Sequence, residues 1–267
     1  MSTIKFQAPF DLLKLYNHPV INQISGFCDA IKQLEADDLV CAYHRARDLA
    51  PHRHARKKRY FVGHSGVTSS GEYSNRREEH LAIALWNATQ ERAPLRMPGG
   101  SPLHLLDYQL PLKARQGDKG VGKVDLFGVI DGAQPCVIEL KIHPVGKGYG
   151  DTPLRAFLEA LTYCAIVEAN ASDIAMEVFE NCDIALTGNR PALVLMAPEE
   201  YWSVFVNHKK AGEWRPALLN LADRLAGSLG LESHFIALRN SDFNMGLNGE
   251  KPHLIEDCSL NSVSDIF

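Results

Sequence analysis

The apolar residues between positions 75 and 240 recur at helical spacing in three segments. These segments are residues 75–90, 152–169 and 214–229. In the first, Leu81 and Leu85 lie about one helical turn apart. Ser74 or Asn75, which precede them, can serve as the N-cap. The second opens at Thr152, directly before a proline, and this order is typical of the first turn of a helix. The pattern therefore predicts three amphipathic helices.

Strand-like apolar runs separate these helices. They cover residues 103–112, 191–198 and 233–239, with a pair of shorter runs between residues 124 and 142. The shorter runs flank Asp131 and Gly132, and two β-rich runs around an Asp-Gly turn are typical of a hairpin. Helices and strands in this order predict an α/β fold with a mixed central β-sheet flanked by helices.

The predicted hairpin sets charged side chains on one face. If the turn is centred on Gly132, positions whose numbers sum to 264 face each other, and Asp125 lies opposite Glu139. Because strand side chains alternate, Lys141 shares the face of Glu139 and Asp125. Two carboxylates and an ammonium on an otherwise apolar element are costly to bury without partners.

A magnesium ion would be a suitable partner for these groups. Mg²⁺ prefers oxygen ligands and typically takes one or two protein carboxylates together with substrate phosphate oxygens. Asp125, Glu139 and the carbonyl of Leu140 would provide such ligands. Lys141 would then orient or help deprotonate a water, or stabilise charge on a phosphate. The alternative is an ordinary ion pair of Lys141 with Asp125 or Glu139 at the edge of the sheet.

The spacing of Asp125, Glu139 and Lys141, an Asp followed after thirteen residues by Glu-x-Lys, resembles the PD-(D/E)xK nuclease-like superfamily. The resemblance covers residues 74–240. It implies a restriction endonuclease-like core with the element order α-β-β-β-α-β, in which the Asp lies on the second strand and Glu-x-Lys on the third. It also implies a metal-dependent endonuclease of the restriction, defence or repair type, which hydrolyses DNA with Mg²⁺ and accepts Mn²⁺ as a substitute.

Two further features depend on this resemblance. A glutamate on the first core helix often completes the metal site in the superfamily; Glu78 matches that position best, and Glu79 is its rival. Both also suit the first turn of a helix, where acidic residues complement the helix dipole. Glu159 and Tyr163 resemble the Gln-x-x-x-Tyr feature of recombination-type members, with Glu in place of Gln, and are expected to face the substrate. A surface pair of Glu159 with Arg155 is the alternative.

Positive charge is concentrated near the N-terminus of a chain whose formal net charge is -4. Residues 44–60 hold seven Lys and Arg, a quarter of the 28 in the chain, against one acid. Such a run suits contacts with nucleic-acid phosphates. It predicts a DNA contact through Arg53, Arg56, Lys57, Lys58 and Arg59. A solvated basic loop is the alternative.

Length and composition allow one large domain with appendages. The chain has 267 residues, of which 45% are apolar, and this is enough for a sizeable core. We expect a mainly helical, basic N-terminal extension at residues 1–62, a linker at 63–74, the nuclease-like core at 75–240 and a C-terminal tail at 241–267.

The cysteines and the hydropathy restrict the environment of the protein. Six scattered cysteines without a Cys-x-x-Cys pair disfavour a zinc ribbon or a disulfide framework and favour the cytoplasm. No apolar run reaches membrane-spanning length, so no membrane association is expected. DNA is the expected partner, RNA is not excluded, and a homodimer is left open. The competing function is a catalytically inactive nuclease-like domain that binds nucleic acid or protein.

Overall fold

The computed structural model describes residues 10–68, 76–143, 148–246 and 249–267. Its fold is mixed α/β, with a seven-stranded central sheet flanked by helices. The predicted fold class is confirmed at this level. The N-cap predicted at Ser74 or Asn75 and half of the predicted linker lie outside the described residues.

The helices and strands have the following bounds. The helices are α1 (Leu12–Leu15), α2 (Phe27–Gln33), α3 (Ala36–Asp48), α4 (Arg77–Glu91), α5 (Pro153–Ala169), α6 (Ala171–Cys182), α7 (Glu199–Asn207), α8 (Trp214–Leu229) and α9 (Val263–Ile266), with a 3₁₀ turn at His54–Arg56. The strands are β1 (Leu95–Arg96), β2 (Pro102–Pro111), β3 (Lys123–Ile130), β4 (Gln134–Leu140), β5 (Ala192–Pro198), β6 (Ser233–Arg239), β7 (Phe243–Asn244), β8 (His253–Leu254) and β9 (Ser259–Ser262).

The sheet has the strand order β1-β2-β3-β4-β5-β6-β9. Strands β1 to β4 pair antiparallel, β4, β5 and β6 run parallel, and β9 lies antiparallel to β6 at the edge. The predicted hairpin register is confirmed, because every observed pair of β3 with β4 sums to 264, as Leu126 with Ile138 does. The turn residues Asp131 and Gly132 have φ angles of 50° and 79°, which is the backbone conformation that an Asp-Gly turn favours.

Apolar layers cover both faces of the sheet. On one face α4 packs against β2 and β3, with Leu81 and Ile138 in the same buried cluster. On the other face α5 packs against β4 and β5, with Phe157 and Val137 in a second cluster. Because strand side chains alternate, Glu139 lies on the α5 side together with Val137.

Helices α1 to α3 and strand β9 join this framework. Helix α3 contacts α5 and α8, and the fully buried Tyr43 of α3 donates its hydroxyl proton to Glu168 of α5 at 2.7 Å. The predicted C-terminal tail contributes the edge strand β9 to the sheet. The N-terminal helices and the last strand are therefore part of the packing that supports the sheet.

Two further observations concern the chain as a whole. In the part of the chain that the structure describes, no helix combines the length and apolar character that a membrane crossing requires. All six cysteines are free thiols.

Candidate functional site

Lys141 lies at the end of β4 among several carboxylates. Its backbone N–H donates to the carbonyl of Met196 at 2.9 Å, which continues the pairing of β4 with β5. Its ammonium donates to Oε1 of Glu139 at 2.5 Å. Three more carboxylates lie near Nζ: Glu78 at 3.6 Å, Asp151 at 3.9 Å and Glu159 at 3.9 Å. One ammonium that is 6% exposed is thus the centre of an acidic cluster.

Glu139 is almost inaccessible, with 2% of its surface exposed. One carboxylate oxygen accepts from Lys141, and the other, Oε2, has no hydrogen-bond partner among the described residues. Burial raises the pKa of Glu139 well above its usual range; Lys141 opposes this shift and Asp125 adds to it. A buried acceptor without a donor is costly, so a cation, a proton or a water at Oε2 would stabilise the site.

Asp125 joins three strands through its two carboxylate oxygens. Oδ2 accepts from the backbone N–H of Leu140 on β4 at 3.0 Å, and Oδ1 accepts from Nε2 of Gln109 on β2 at 3.0 Å. Burial raises the pKa of Asp125, whereas Lys141 and the hydrogen bond from Leu140 lower it. Asp125 is thus held from both sides at the position that the hairpin register predicted.

The two glutamates at the start of α4 have different partners. Oε1 of Glu78 lies 3.6 Å from the Lys141 ammonium, whereas Oε2 of Glu79 lies 3.6 Å from the guanidinium of Arg76. Burial raises the pKa of Glu78 to about 7, with Lys141 opposing the shift and Asp125 adding to it. The structure therefore brings Glu78 to the cluster and pairs Glu79 elsewhere.

The predicted stripe on α5 reaches the cluster through Glu159. The hydroxyl of Tyr163 donates to Oε1 of Glu159 at 3.0 Å, and Arg155 donates to Oε2 at 3.4 Å. The side chains of Arg155 and Glu159 are only 20% and 14% exposed, so their pair lies within the site and is not a surface pair. Tyr163 is buried and contacts Glu159, and Glu159 in turn lies 3.9 Å from the Lys141 ammonium.

Asp151 was not indicated by the sequence pattern. Its side chain accepts from Arg155 and, at 3.1 Å, from Nδ2 of Asn22, and its carbonyl accepts from the hydroxyl of Tyr201 at 2.8 Å. The sequence feature that could have indicated Asp151 is its position directly before Thr152. Thr152 is the predicted N-cap of α5, and its hydroxyl accepts from the backbone N–H of Arg155. Acidic residues are common at such positions for helix-dipole reasons alone, so this signal was weak.

Acidic side chains outnumber basic side chains in the cluster. The acids are Glu78, Asp125, Glu139, Asp151 and Glu159, and the cations are Lys141 and Arg155. Burial would lower the pKa of Lys141, but the carboxylates, Glu139 foremost, raise it well above its usual range. The carboxylates therefore favour the charged form of Lys141, and the five acids outnumber the two bases by three.

The chemistry of the ligand atoms at this site suits a magnesium ion, but among the described residues their arrangement does not form a ready metal site. Carboxylate and carbonyl oxygens suit Mg²⁺, and the unpartnered Oε2 of Glu139 is available as a ligand. Within residues 10–68, 76–143, 148–246 and 249–267, however, no three His, Cys, Asp or Glu side chains are arranged to hold an ion. The Lys141 ammonium lies where the carboxylates converge. Because the ammonium is bonded to Oε1, a metal held by Asp125, Glu139 and the Leu140 carbonyl would bind Glu139 through Oε2.

Arg53, from the predicted DNA-binding run, is a structural anchor. It is 8% exposed, and its guanidinium donates from Nε to the carbonyl of Arg59 at 2.9 Å and from Nη1 to the carbonyl of Lys113. Its ring contact with Tyr60, 5.6 Å from the centroid, adds to this packing. Arg53 is thus not presented to solvent as a phosphate contact.

Among the predicted DNA contacts of the basic run, Arg56, Lys57, Lys58 and Arg59 are exposed, and two of them have partners within the protein. Arg59 pairs with Glu180 at 2.6 Å, and the ammonium of Lys58 donates to the carbonyl of Ala114 at 2.8 Å. Arg56 and Lys57 lie exposed in the turn, and neither has an ion-pair partner among the described residues. These two side chains are the members of the run that are most accessible to an anionic ligand.

Comparison with known families, proteins and structures found no match to this chain. No family model matches it, and no curated protein or solved structure matches it either. The function must therefore be argued from the chemistry of the site.

Proposed function

We propose that this protein is an Mg²⁺-dependent nuclease that hydrolyses phosphodiester bonds in DNA. The observation that carries the proposal is the convergence of Glu78, Asp125, Glu139 and Lys141 at one end of the sheet, although they come from three separate elements. The element order α4-β1-β2-β3-β4-α5, followed after α6 by β5, differs from α-β-β-β-α-β only by the two-residue β1 and by α6, and it supports a restriction endonuclease-like core. An endonuclease of the restriction, defence or repair type in the cytoplasm remains the proposal that best accommodates these features.

In the proposed nuclease, the residues of the site would have three roles: metal binding, contact with the water or phosphate, and positioning of Asp125. Asp125, Glu139, the Leu140 carbonyl and Glu78 would hold the metal, with Mn²⁺ able to substitute. When bound, Mg²⁺ would supply positive charge at the phosphate and lower the pKa of a coordinated water. Lys141, whose ammonium contacts Oε1 of Glu139, would orient the attacking water or stabilise negative charge on the phosphate. Gln109 and the Leu140 amide would keep the Asp125 carboxylate in position.

The position of the Lys141 ammonium favours a second candidate function. The ammonium already forms a 2.5 Å bond to Glu139 and lies where the carboxylates converge. A buried pair of this kind can persist without any bound ion, because each charge compensates the other and removal of one partner would leave an uncompensated buried charge. The second candidate is therefore a catalytically inactive nuclease-like domain that binds nucleic acid or protein.

A cleavage assay with a matched pair of variants tests the proposal. The wild type is incubated with single-stranded DNA, duplex DNA and RNA in Mg²⁺, in Mn²⁺ and in a chelator. Asp125→Asn should reduce metal-dependent cleavage at least about 100-fold, since an anionic ligand is lost. Asp131→Asn makes the same chemical change at the exposed turn of the same hairpin and should leave cleavage unchanged.

Thermal unfolding separates the two candidates. A metal that binds only the folded state raises the melting temperature, and Asp125→Asn should abolish that rise. Absence of any divalent-metal effect on the wild type, together with no cleavage of any substrate, would favour the inactive binding domain.

A further inference from the structure

An exposed tyrosine, Tyr149, lies two residues before Asp151 of the acidic cluster. Tyr149 is 43% exposed and precedes Asp151 by two residues, so their Cα atoms are at most about 7 Å apart. The Asp151 carboxylate lies 3.9 Å from the Lys141 ammonium. The backbone of Tyr149 is therefore adjacent to Asp151, a member of the site at which we propose that a phosphodiester bond is cut.

The ring of Tyr149 is held in place from α7. Its hydroxyl lies 3.1 Å from Nε2 of His208, and the two rings meet edge to face with centroids 5.1 Å apart. Nδ1 of His208 accepts from the backbone N–H of Lys210 at 3.2 Å, which leaves Nε2–H to donate to Tyr149. Tyr201, on the same helix, holds the carbonyl of Asp151. Helix α7 and His208, the residue at its C-terminal cap, thus contact both the ring and the neighbouring member of the cluster.

Two lysines follow His208 in the same loop. Lys209 and Lys210 are exposed, and in the described part of the chain neither ammonium has an ion-pair partner. The hydrogen bond from the Lys210 amide to His208 fixes the turn that presents them. An exposed ring held next to unpaired lysines, in a chain of net charge -4, is a concentration of the groups that bind a nucleic-acid strand.

We propose that Tyr149, His208, Lys209 and Lys210 form a subsite for single-stranded nucleic acid, which we call the α7 subsite. A nucleobase stacks on the Tyr149 ring, and the two lysines contact the phosphates on either side of it. Base stacking on an aromatic ring tolerates any sequence, because every base has a π-face. The inference rests on the proposed function, in that the bound strand is the one presented to the acidic cluster. It extends that function by specifying the preferred substrate as nucleic acid with unpaired bases, such as single strands, frayed ends or flipped bases.

The α7 subsite is tested by binding without divalent metal, where no metal-dependent cleavage occurs. A labelled single-stranded DNA, an RNA of the same sequence and the corresponding DNA duplex are titrated by fluorescence anisotropy. Tyr149→Ala should weaken binding of the preferred single strand about 5- to 100-fold and leave duplex binding nearly unchanged. Tyr149→Phe keeps the ring and should bind within about twofold of the wild type. Lys209→Gln and Lys210→Gln should each lower the slope of log affinity against log salt by about 0.7.

The possible outcomes separate this inference from the proposed function. Equal single-strand affinity of wild type and Tyr149→Ala overturns the α7 subsite, even if the wild type cleaves DNA. An equal loss on duplex and single strand also overturns it. Tyr149-dependent binding by a protein that never cleaves supports the subsite and removes the nuclease proposal. Tyr149 is exposed, so an unchanged melting temperature of both variants will exclude misfolding as the cause.

Discussion

Gln109 donates a 3.0 Å hydrogen bond to Asp125 from a backbone conformation that glycine normally occupies. Its φ angle is 51°, although β2 continues on either side of it. A residue with a Cβ in the left-handed region carries a steric cost of about 1–2 kcal/mol. Strain of this kind persists only where the surrounding structure maintains it, and it is common at functional sites. Gln109 is therefore a residue that positions the Asp125 carboxylate.

Replacement of Gln109 by Gly or by Ala separates strain from positioning. Both variants lose the hydrogen bond to Asp125, but only Gly relieves the left-handed backbone. We expect Gln109→Gly to be about 1 kcal/mol more stable than Gln109→Ala in urea unfolding. Both should lose metal-dependent cleavage by about tenfold or more, because Asp125 is no longer oriented. Equal stability of the two variants would show that the strain is absent, and full activity would remove the positioning role.

Glu78 and Glu79 should contribute unequally to activity at limiting metal. Glu78 approaches Lys141 at 3.6 Å, whereas Glu79 approaches Arg76 at 3.6 Å. We expect Glu78→Gln to raise the Mg²⁺ concentration needed for half-maximal cleavage about tenfold or more, with Glu79→Gln close to wild type. A titration of the cleavage rate against Mg²⁺ makes the comparison. The reverse ranking would transfer the role to Glu79, and equal small effects would assign both residues to the helix dipole.

The basic run should affect DNA binding mainly through Arg56 and Lys57. Both are exposed, whereas Arg59 is paired with Glu180. Arg56→Gln combined with Lys57→Gln should lower the slope of log affinity against log salt on duplex DNA by about 0.9 for each lost contact. Arg53→Gln is the contrasting variant: it should lower the melting temperature, because it leaves backbone carbonyls without their buried donor. An unchanged salt slope in the double variant would mean that the run is a solvated loop.

Glu168 should link stability to acid pH. It accepts from Arg190 at 2.6 Å and 2.8 Å and from the hydroxyl of Tyr43 at 2.7 Å. Burial would raise its pKa, but these hydrogen bonds outweigh burial and lower the pKa to about 2 from 4.5. A lowered pKa in the folded state gives stability that is present above about pH 4.5 and is lost as the pH falls towards 2.

The matching variant is Glu168→Gln. It should lower the free energy of unfolding at pH 7 by about 1–3 kcal/mol and by less at pH 3, as measured in urea. Glu200→Gln, an exposed change on α7, should have no effect at either pH. A deficit that is the same at both pH values would show that the Glu168 charge is not the cause.

The sequence by itself determined several of the local elements and the geometry of one hairpin, but it did not indicate α6 or α7. Helix α8 and strand β6 have the predicted bounds, and the β3-β4 register follows the predicted sum of 264. These features depend on neighbours that are near in sequence, since alternation along strands and an Asp-Gly turn leave few registers open. The same pattern placed Asp125, Glu139 and Lys141 together before any contact was known.

The tertiary structure alone decided which other side chains join them and which basic residues are accessible. Asn22 reaches Asp151 across 129 positions, and Arg59 meets Glu180 across 121. No local pattern encodes such pairs, because a partner that distant in sequence is brought near only when the helices pack around the sheet. The left-handed backbone of Gln109 is of the same kind, since glutamine has no intrinsic preference for that region and only the surrounding strands impose it.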